Sequence, residues 1–128
     1  MIHVDGSAVD MMLTERWMPE ESTAMSAVAY GEAIRGAFLK PDHGLLIAKA
    51  KAVRDIPRDR ILPFDKAAAE IFCELSPRRT GGQQSRDLMI AAVAIAWNAS
   101  LATNDRRLAA LDGATVPGHE PLEILYVE

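Results

Sequence analysis

The sequence predicts an α/β domain of three layers, in which helices cover both faces of a mainly parallel, five-stranded sheet. Short apolar runs alternate with helical segments along the chain, a pattern typical of parallel strands joined by right-handed crossovers. The stretch Ser85 to Asp105 shows this most clearly, because an apolar helix leads into a short strand that ends at an acid. The first strand also ends at an acid, Asp5. We therefore expect acids from two strands at one edge of the sheet.

The composition is that of one soluble domain. The chain has 128 residues, of which 49% are hydrophobic, and a chain of this length builds a single core. Its longest apolar run, Leu88 to Trp97, is shorter than the ~20 residues that cross a bilayer. Asp5 and Asp10 interrupt the N-terminus where a secretory signal would be apolar. We expect a cytoplasmic protein with no membrane partner.

The charge balance disfavours a broad surface that coats nucleic acid. Lysine and arginine number 14 against 18 aspartate and glutamate, for a formal net charge of −4, whereas nonspecific nucleic-acid coats are usually basic. A nuclease is not excluded, because its phosphate chemistry would come from a local site. The single cysteine, Cys73, has no disulfide partner and is predicted to be a small buried residue of a helix.

The first half of the chain predicts two strands and three helices. His3 is expected to pack within the first strand, and Ser7 to cap the first helix. A loop over Arg16 to Ser22 follows, because this stretch contains proline. Pro41 ends the second helix, which Phe38 helps to anchor, and the third helix carries its lysines on the outer face. In chain order the elements are the strand Met1 to Val4, the helix Ser7 to Glu15, the strand Thr23 to Ser26, the helix Ala27 to Leu39 and the helix Leu45 to Val53.

The second half continues the alternation of strands and helices. Asp65 is predicted to cap the fourth helix and Ser85 the fifth, where Asp87 would meet the positive end of the helix dipole. Asn98 ends the fifth helix because it tolerates a left-handed conformation. The Gly-rich basic loop Pro77 to Gln84 lacks the Lys-Ser/Thr pair of a phosphate-binding loop. The elements are the strand Arg60 to Phe64, the helix between Asp65 and Ser76, the helix Ser85 to Asn98, the strand Leu101 to Thr103, the helix Arg106 to Leu111 and the strand Leu122 to Val127.

Four acids are placed to converge if the strands are parallel. Asp5 and Asp105 follow strand ends, Asp87 opens the apolar helix, and Glu32 lies along one edge of the second helix. Ligands of open α/β sheets bind at the carboxyl ends of the strands. Carboxylates that share a cleft repel one another unless a cation lies between them, and oxygen ligands suit Mg²⁺ or Mn²⁺. Such a metal activates water, so the pattern favours hydrolysis of a nucleic-acid backbone.

Four stretches of the sequence occur together in one order over most of the chain. They are IHVDGSAV at the N-terminus, MSAVAYGEAIRG around Glu32, RILPFDKAAAEIF in the middle and RDLMIAAVAIAWNASLATNDRRLAAL near the end. Through these stretches the chain resembles PIN-domain proteins, and among them the VapC toxins of bacterial toxin and antitoxin pairs. One departure is Gly6, which stands where the family commonly has threonine directly after the first acid.

The resemblance implies a metal-dependent endoribonuclease with a PIN-like sheet of order 3-2-1-4-5. The acids that it makes catalytic and metal-binding are Asp5, Glu32, Asp87 and Asp105, with Mg²⁺ or Mn²⁺ as the cofactor. Ser7 and Thr103 would position the site. The family also implies RNA as the substrate, a homodimer, and a cognate antitoxin that blocks the cleft.

Several arginines lie near these acids in the sequence and could contact RNA phosphates. They are Arg78, Arg79, Arg86, Arg106 and Arg107. Taken alone, such residues are more often solvated or paired with an acid on a helix surface. The sequence leaves both explanations open.

Each acid also has an ordinary structural explanation. Asp87 alone would be a helix-dipole partner, Asp105 a helix cap, and Glu32 a solvated residue paired with Arg35. Asp5, as an alternative to Ser7, would be the cap of the first helix. Only the joint pattern favours a metal site over these separate roles.

Two other functions compete with the nuclease. The first is a PIN-like binding module without catalysis, for which Gly6 is the only indication in the sequence. The second is a phosphatase with an aspartate nucleophile after the first strand. That class would need a second aspartate two residues later, where Ser7 stands, so the sequence disfavours it.

Overall fold

Five strands form one sheet in the computed structural model, which describes residues 1–78 and 82–128. They are β1 (Ile2–Val4), β2 (Thr23–Ser26), β3 (Ile61–Leu62), β4 (Leu101–Thr103) and β5 (Ile124–Tyr126). The spatial order is β3-β2-β1-β4-β5, and every neighbouring pair is parallel. The order that the resemblance implies is confirmed, and the sheet is entirely parallel where the sequence predicted a mainly parallel one.

Six α-helices flank the sheet in the described part of the chain. They are α1 (Gly6–Leu13), α2 (Ala27–Leu39), α3 (Gly44–Arg54), α4 (Lys66–Leu75), α5 (Ser85–Ala96) and α6 (Arg106–Ala109). Short 3₁₀ turns, Arg58–Arg60 and Ser76–Arg78, precede β3 and follow α4. The edge strands β3 and β5 are shorter than predicted, since each extends only as far as it pairs with one neighbour. No helix within the described ranges is long and apolar enough to cross a lipid bilayer.

β1 lies at the centre of the sheet, between β2 and β4. His3 pairs in register with Ala24 of β2 and Leu101 of β4, and it is 2% exposed. Burial lowers the pKa of His3 to about 4, so the side chain is neutral and packed, as predicted. The chain continues from β1 through β2 and β3 on one side, and through β4 and β5 on the other. The carboxyl ends of β1 and β4 therefore flank the topological switch point, where such sheets bind ligands.

α5 supplies much of the hydrophobic core. Its residues Leu88, Ala91 and Val93 are 0% exposed, and the helix packs against α4. Burying a side chain such as Leu88 stabilises the fold by roughly 1.5–3 kcal/mol. Asn98 follows the helix with a φ of 49°, which confirms that it ends the helix in the left-handed conformation.

Two predicted helix caps differ from the observed ones. Asp5, not Ser7, caps α1, because its Oδ1 accepts a 2.9 Å hydrogen bond from the amide three residues on. α5 begins at Ser85, so its cap is Gln84. In both helices the cap has an extended backbone, a boundary that a sequence pattern locates only to within one or two residues. The cap predicted at Asp65 is confirmed.

Two residues predicted to be buried are exposed. Phe38 is 75% exposed, and α2 instead buries Ala29 and Ala33, which lie one turn apart on its inner face. Cys73 is also exposed. The residues that α4 buries are spaced three and four apart, and position 73 falls between them on the solvent side.

Candidate active site

One cleft of about 200 Å³ brings the four predicted acids together. The acids that line it are Asp5, Glu32, Asp87 and Asp105. They come from four segments: the end of β1, the middle of α2, the start of α5 and the residues after β4. Ser7, Lys49 and Arg86 line the same cleft. The parallel sheet therefore assembles a polar site from parts of the chain that are far apart in sequence.

Asp5 is held by hydrogen bonds and is 6% exposed. Its Oδ1 accepts a 2.8 Å bond from Ser7 Oγ and a 2.9 Å bond from the Ala8 amide. Its Oδ2 accepts a 2.6 Å bond from Thr103 Oγ1. Burial raises the pKa of Asp5, these hydrogen bonds oppose the rise, and the charge of Asp105 adds to it. A carboxylate in such surroundings is stabilised by a neighbouring cation.

Ser7 and Thr103 join the ends of β1 and β4. Their hydroxyl oxygens lie 3.1 Å apart. Ser7 Oγ accepts a 2.7 Å hydrogen bond from the Asn104 amide, and Thr103 Oγ1 accepts one of 3.0 Å from the Asp105 amide. The same two hydroxyls donate to Asp5. They are therefore placed to orient the first acid relative to the backbone that carries the last.

Glu32 extends from α2 toward the start of α5. Its Oε2 lies 3.5 Å from Arg86 Nε, so Arg86 is its ion-pair partner and the pairing with Arg35 is wrong. Its Oε1 is buried and has no hydrogen-bond partner among the described residues. Burial raises the pKa of Glu32, Arg86 opposes the rise, and Asp87 and Asp5 add to it. One oxygen of this carboxylate is thus available to a cation.

Asp87 and Asp105 each bind backbone at the start of a helix. Asp87 Oδ2 accepts a 2.9 Å hydrogen bond from the Gln84 amide, and Asp105 Oδ1 accepts one of 2.9 Å from the Arg107 amide. These are close to the structural roles that the ordinary explanation gives each acid. Both side chains nevertheless line the cleft. A structural role and a role in the site are therefore compatible for both acids.

The donor set of the cleft fits a hard divalent cation. All four acids offer oxygen, which Mg²⁺ and Mn²⁺ prefer, and burial raises the pKa of Asp5 and Glu32. Among the described residues that line the cleft, Glu32 has a buried oxygen, Oε1, without a hydrogen-bond partner. Within residues 1–78 and 82–128, no three His, Cys, Asp or Glu side chains are grouped as ligands of a single ion. Direct ligation by three carboxylates therefore requires their side chains to move closer together.

Lys49 is the cleft residue that the sequence analysis missed. The lysines of α3 were expected on its outer face, and Lys51 is exposed there. The Lys49 side chain, in contrast, is 13% exposed, and its Nζ lies 3.1 Å from Asp10 Oδ2. The spacing of three and four from Leu46 and Val53 puts Lys49 on the inner stripe of α3, and that spacing is the signal that would have found it.

Arg86 lines the cleft, and the other arginines named from the sequence differ from it. Arg106 is 3.3 Å from the Tyr126 hydroxyl through its Nε and lies against that ring. The Arg107 side chain is 3.7 Å from Asp105. Arg79 and the side chain of Arg78 lie outside the described part of the structure. Among the arginines of this set whose side chains the structure describes, only Arg86 lines the cleft.

The sheet order and an acidic cleft at the switch point define a class of α/β proteins, and a family comparison identifies it. The family model described as PIN domain matches residues 6–114. The chain belongs to the PIN domain family, and the resemblance found in the sequence is confirmed. A comparison with curated protein sequences finds no match.

Several solved structures share the fold. A chain of VapBC-5 from Mycobacterium tuberculosis, a member of the VapBC family of toxin-antitoxin systems, is 28% identical with a TM-score of 0.73, over 98% of both chains. A chain of FitAcB from Neisseria gonorrhoeae is 20% identical with a TM-score of 0.64, over 84% of this chain and 90% of that one. VapBC2 from Rickettsia felis, bound to a promoter DNA fragment, gives 20% identity and a TM-score of 0.63 over 100% of both chains. The last two likenesses show the fold alone.

Proposed function

We propose that this PIN-domain protein is a metal-dependent endoribonuclease that hydrolyses RNA phosphodiester bonds. The observation that carries the proposal is the convergence of four carboxylates, from four segments of a PIN fold, on one cleft at the switch point of the sheet. Hydrolysis of a negatively charged phosphodiester in an acidic cleft requires a cation bound at the site.

The residues in and next to the cleft have three proposed roles. The acids that would hold Mg²⁺ or Mn²⁺, directly or through water, are Asp5, Glu32, Asp87 and Asp105. The metal, when bound, lowers the pKa of a water and neutralises charge on the phosphodiester. Ser7 and Thr103 orient Asp5 through their hydroxyl groups. Arg86 can exchange its bond with Glu32 for an RNA phosphate, because both side chains of that pair are partly exposed.

The biological role that fits this activity is the toxin of a type II toxin–antitoxin pair. The likeness to a VapBC-5 chain at 28% identity over almost the whole chain supports this role. The partners would be an RNA substrate, a second copy of the chain in a homodimer, and a cognate antitoxin that covers the cleft. A toxin of this kind acts on RNA in the cytoplasm.

A PIN-like binding module without catalysis is the second candidate. Two features favour it: Gly6 stands where the resemblance implies a threonine after the first acid, and the described acids are not grouped as ligands of one ion. In such a module the Glu32–Arg86 ion pair would persist and the cleft would take a partner without a metal.

Cleavage of a mixed cellular RNA pool separates these candidates. The purified chain is incubated with Mg²⁺, Mn²⁺ or a chelator, beside Asp5→Asn, Asp87→Asn and the exposed control Asp42→Asn. We expect discrete, metal-dependent products from the wild type and the control only. Growth of a bacterial host after induction of the same variants tests the toxin role. Metal-dependent cleavage by both cleft variants would remove those acids from the site, and no cleavage by the wild type would favour the binding module.

A further inference from the structure

Gly6 and Lys49 both line the cleft and lie close to each other. A Cβ atom built on Gly6 would lie 3.1 Å from Lys49 Nζ and 3.2 Å from Lys49 Cε. Both distances are shorter than ordinary van der Waals contacts. The end of the lysine side chain therefore occupies the space that a side chain at position 6 would need. A side chain at position 6 would therefore require the ammonium group to shift by a few tenths of an ångström.

Asp10 holds the ammonium group in this position. Asp10 follows Gly6 by four residues on α1, so the two lie on the same face of that helix. Its Oδ2 is 3.1 Å from Lys49 Nζ, and the lysine side chain is 13% exposed. An ammonium group has three N–H donors, and Asp10 takes one of them. The remaining donors are available to an anion that enters the cleft.

The two cations that line the cleft differ in what neutralises them. Arg86 pairs with Glu32, one of the four cleft acids. Lys49 pairs with Asp10, which does not line the cleft. The ion pair of Lys49 is therefore with an acid outside the cleft lining, while its charge also acts on Glu32 and opposes the rise in the pKa of that cleft acid. A polyanion that approaches four carboxylates needs such a fixed positive charge, because the acids otherwise repel it.

We propose that Lys49 binds a phosphate group of the RNA substrate. Asp10 is its positioning residue, and Gly6, which has no side chain, leaves space next to the ammonium group. This inference rests on the proposed function for the identity of the substrate. It assigns a substrate contact to a lysine whose end lies close to the space of a side chain at position 6.

The direct test is RNA binding measured apart from cleavage. Fluorescence anisotropy follows a labelled single-stranded RNA of mixed sequence in Ca²⁺, with gels to exclude cleavage, for the wild type, Lys49→Gln and the exposed control Lys51→Gln. We expect Lys49→Gln to weaken binding about tenfold, as for loss of a charged hydrogen bond. The slope of log affinity against log salt should fall by about 0.7, which corresponds to one phosphate contact on a single strand. Lys51→Gln should match the wild type.

Two further variants test how the lysine is held. Gly6→Ala puts a Cβ 3.1 Å from Lys49 Nζ, so the ammonium group must shift, and RNA binding should weaken by less than in Lys49→Gln. Asp10→Asn keeps the ammonium group but removes the carboxylate that pairs with it, and should weaken RNA binding by an intermediate amount. Thermal melting of each variant verifies the fold, and Mn²⁺-dependent stabilisation verifies that the acids are intact. If Lys49→Gln fails to fold, Gly6→Ala and Asp10→Asn decide the question together.

The outcomes distinguish this inference from the proposed function. RNA binding and salt slope unchanged in both Lys49→Gln and Gly6→Ala would overturn it, and Lys49 would then serve only as a structural ion pair. If the wild type binds RNA through Lys49 but never cleaves it, the nuclease proposal fails and the phosphate contact stands. If the wild type does not bind RNA at all, both fail.

Discussion

Three of the four cleft carboxylates also accept a hydrogen bond from a backbone amide at the start of a helix. Asp5 caps α1, Asp105 caps α6, and Asp87 accepts the amide of the residue that precedes α5. Each bond fixes the carboxylate through the local backbone, so the fold places these acids before any ligand binds. Glu32 differs, because it reaches the cleft from the middle of α2 and keeps a buried oxygen without a partner in the described structure.

Glu32 should destabilise the metal-free protein at neutral pH. Because burial raises its pKa above the ordinary value of 4.5, the penalty is absent below that value and appears as the pH rises through it. In chelator at pH 7, Glu32→Gln should therefore melt at a higher temperature than the wild type. The difference should shrink as the pH falls toward 4.5.

The control for this prediction is Glu70→Gln, which changes an exposed glutamate of α4. Differential scanning fluorimetry over a range of pH values compares the three proteins. A Glu32→Gln variant that melts at or below the wild-type temperature at pH 7 would show that the ion pair with Arg86 outweighs the burial of the charge.

Sequence reasoning found the acids but not the lysine, for a physical reason. Asp5 and Asp105 follow strands, and parallel strands bring their carboxyl ends to one edge, so their meeting follows from topology. Lys49 lines the cleft with the end of its side chain close to Gly6. That contact joins two helices, α1 and α3, whose relative position no local pattern specifies.

At the scale of elements, the ends of α5 show how far local rules reach. The left-handed residue Asn98 was predicted because few residue types adopt that conformation readily. The cap at the other end was misplaced from Gln84 to Ser85, since both positions offer a polar side chain. Strands β2 and β4 were predicted with their observed bounds, because buried apolar runs there end at polar residues.

Asn98 also gives a matched pair of substitutions. Asn98→Ala should lower the free energy of unfolding by about 1 kcal/mol, because an alanine in the left-handed conformation is strained. Asn98→Gly should be neutral or slightly stabilising, because glycine adopts that conformation without strain. Urea denaturation measures both. Equal stability of the two variants would indicate that the end of α5 rearranges when the residue changes.

At the scale of the whole molecule, strand order decides where the site lies. β1 is central, and the chain leaves it in opposite directions to build the two halves of the sheet. The crevice at this switch point receives one acid from each half, along with residues of α2 and α5. The capping role of each acid, taken alone, does not indicate that the acids meet. They meet only when the two halves of the sheet are assembled.

The net charge of −4 adds a condition on function at the same scale. A protein of this charge gains little from nonspecific attraction to RNA. The proposed RNA binding would therefore come from the cleft, where a metal ion and the cations Lys49 and Arg86 would offset the acids. The proposed function for this reason depends first on metal binding.

The measurement that tests this claim most directly is a calorimetric titration of Mn²⁺ into the metal-free protein. The wild type, Asp87→Asn and the control Glu70→Gln are compared; asparagine at position 87 can still accept the Gln84 amide and keeps the helix start intact. We expect saturable binding to the wild type and the control, weakened at least about tenfold in Asp87→Asn. Equal affinity in all three proteins, or no binding to the wild type, would contradict a metal site built from these carboxylates.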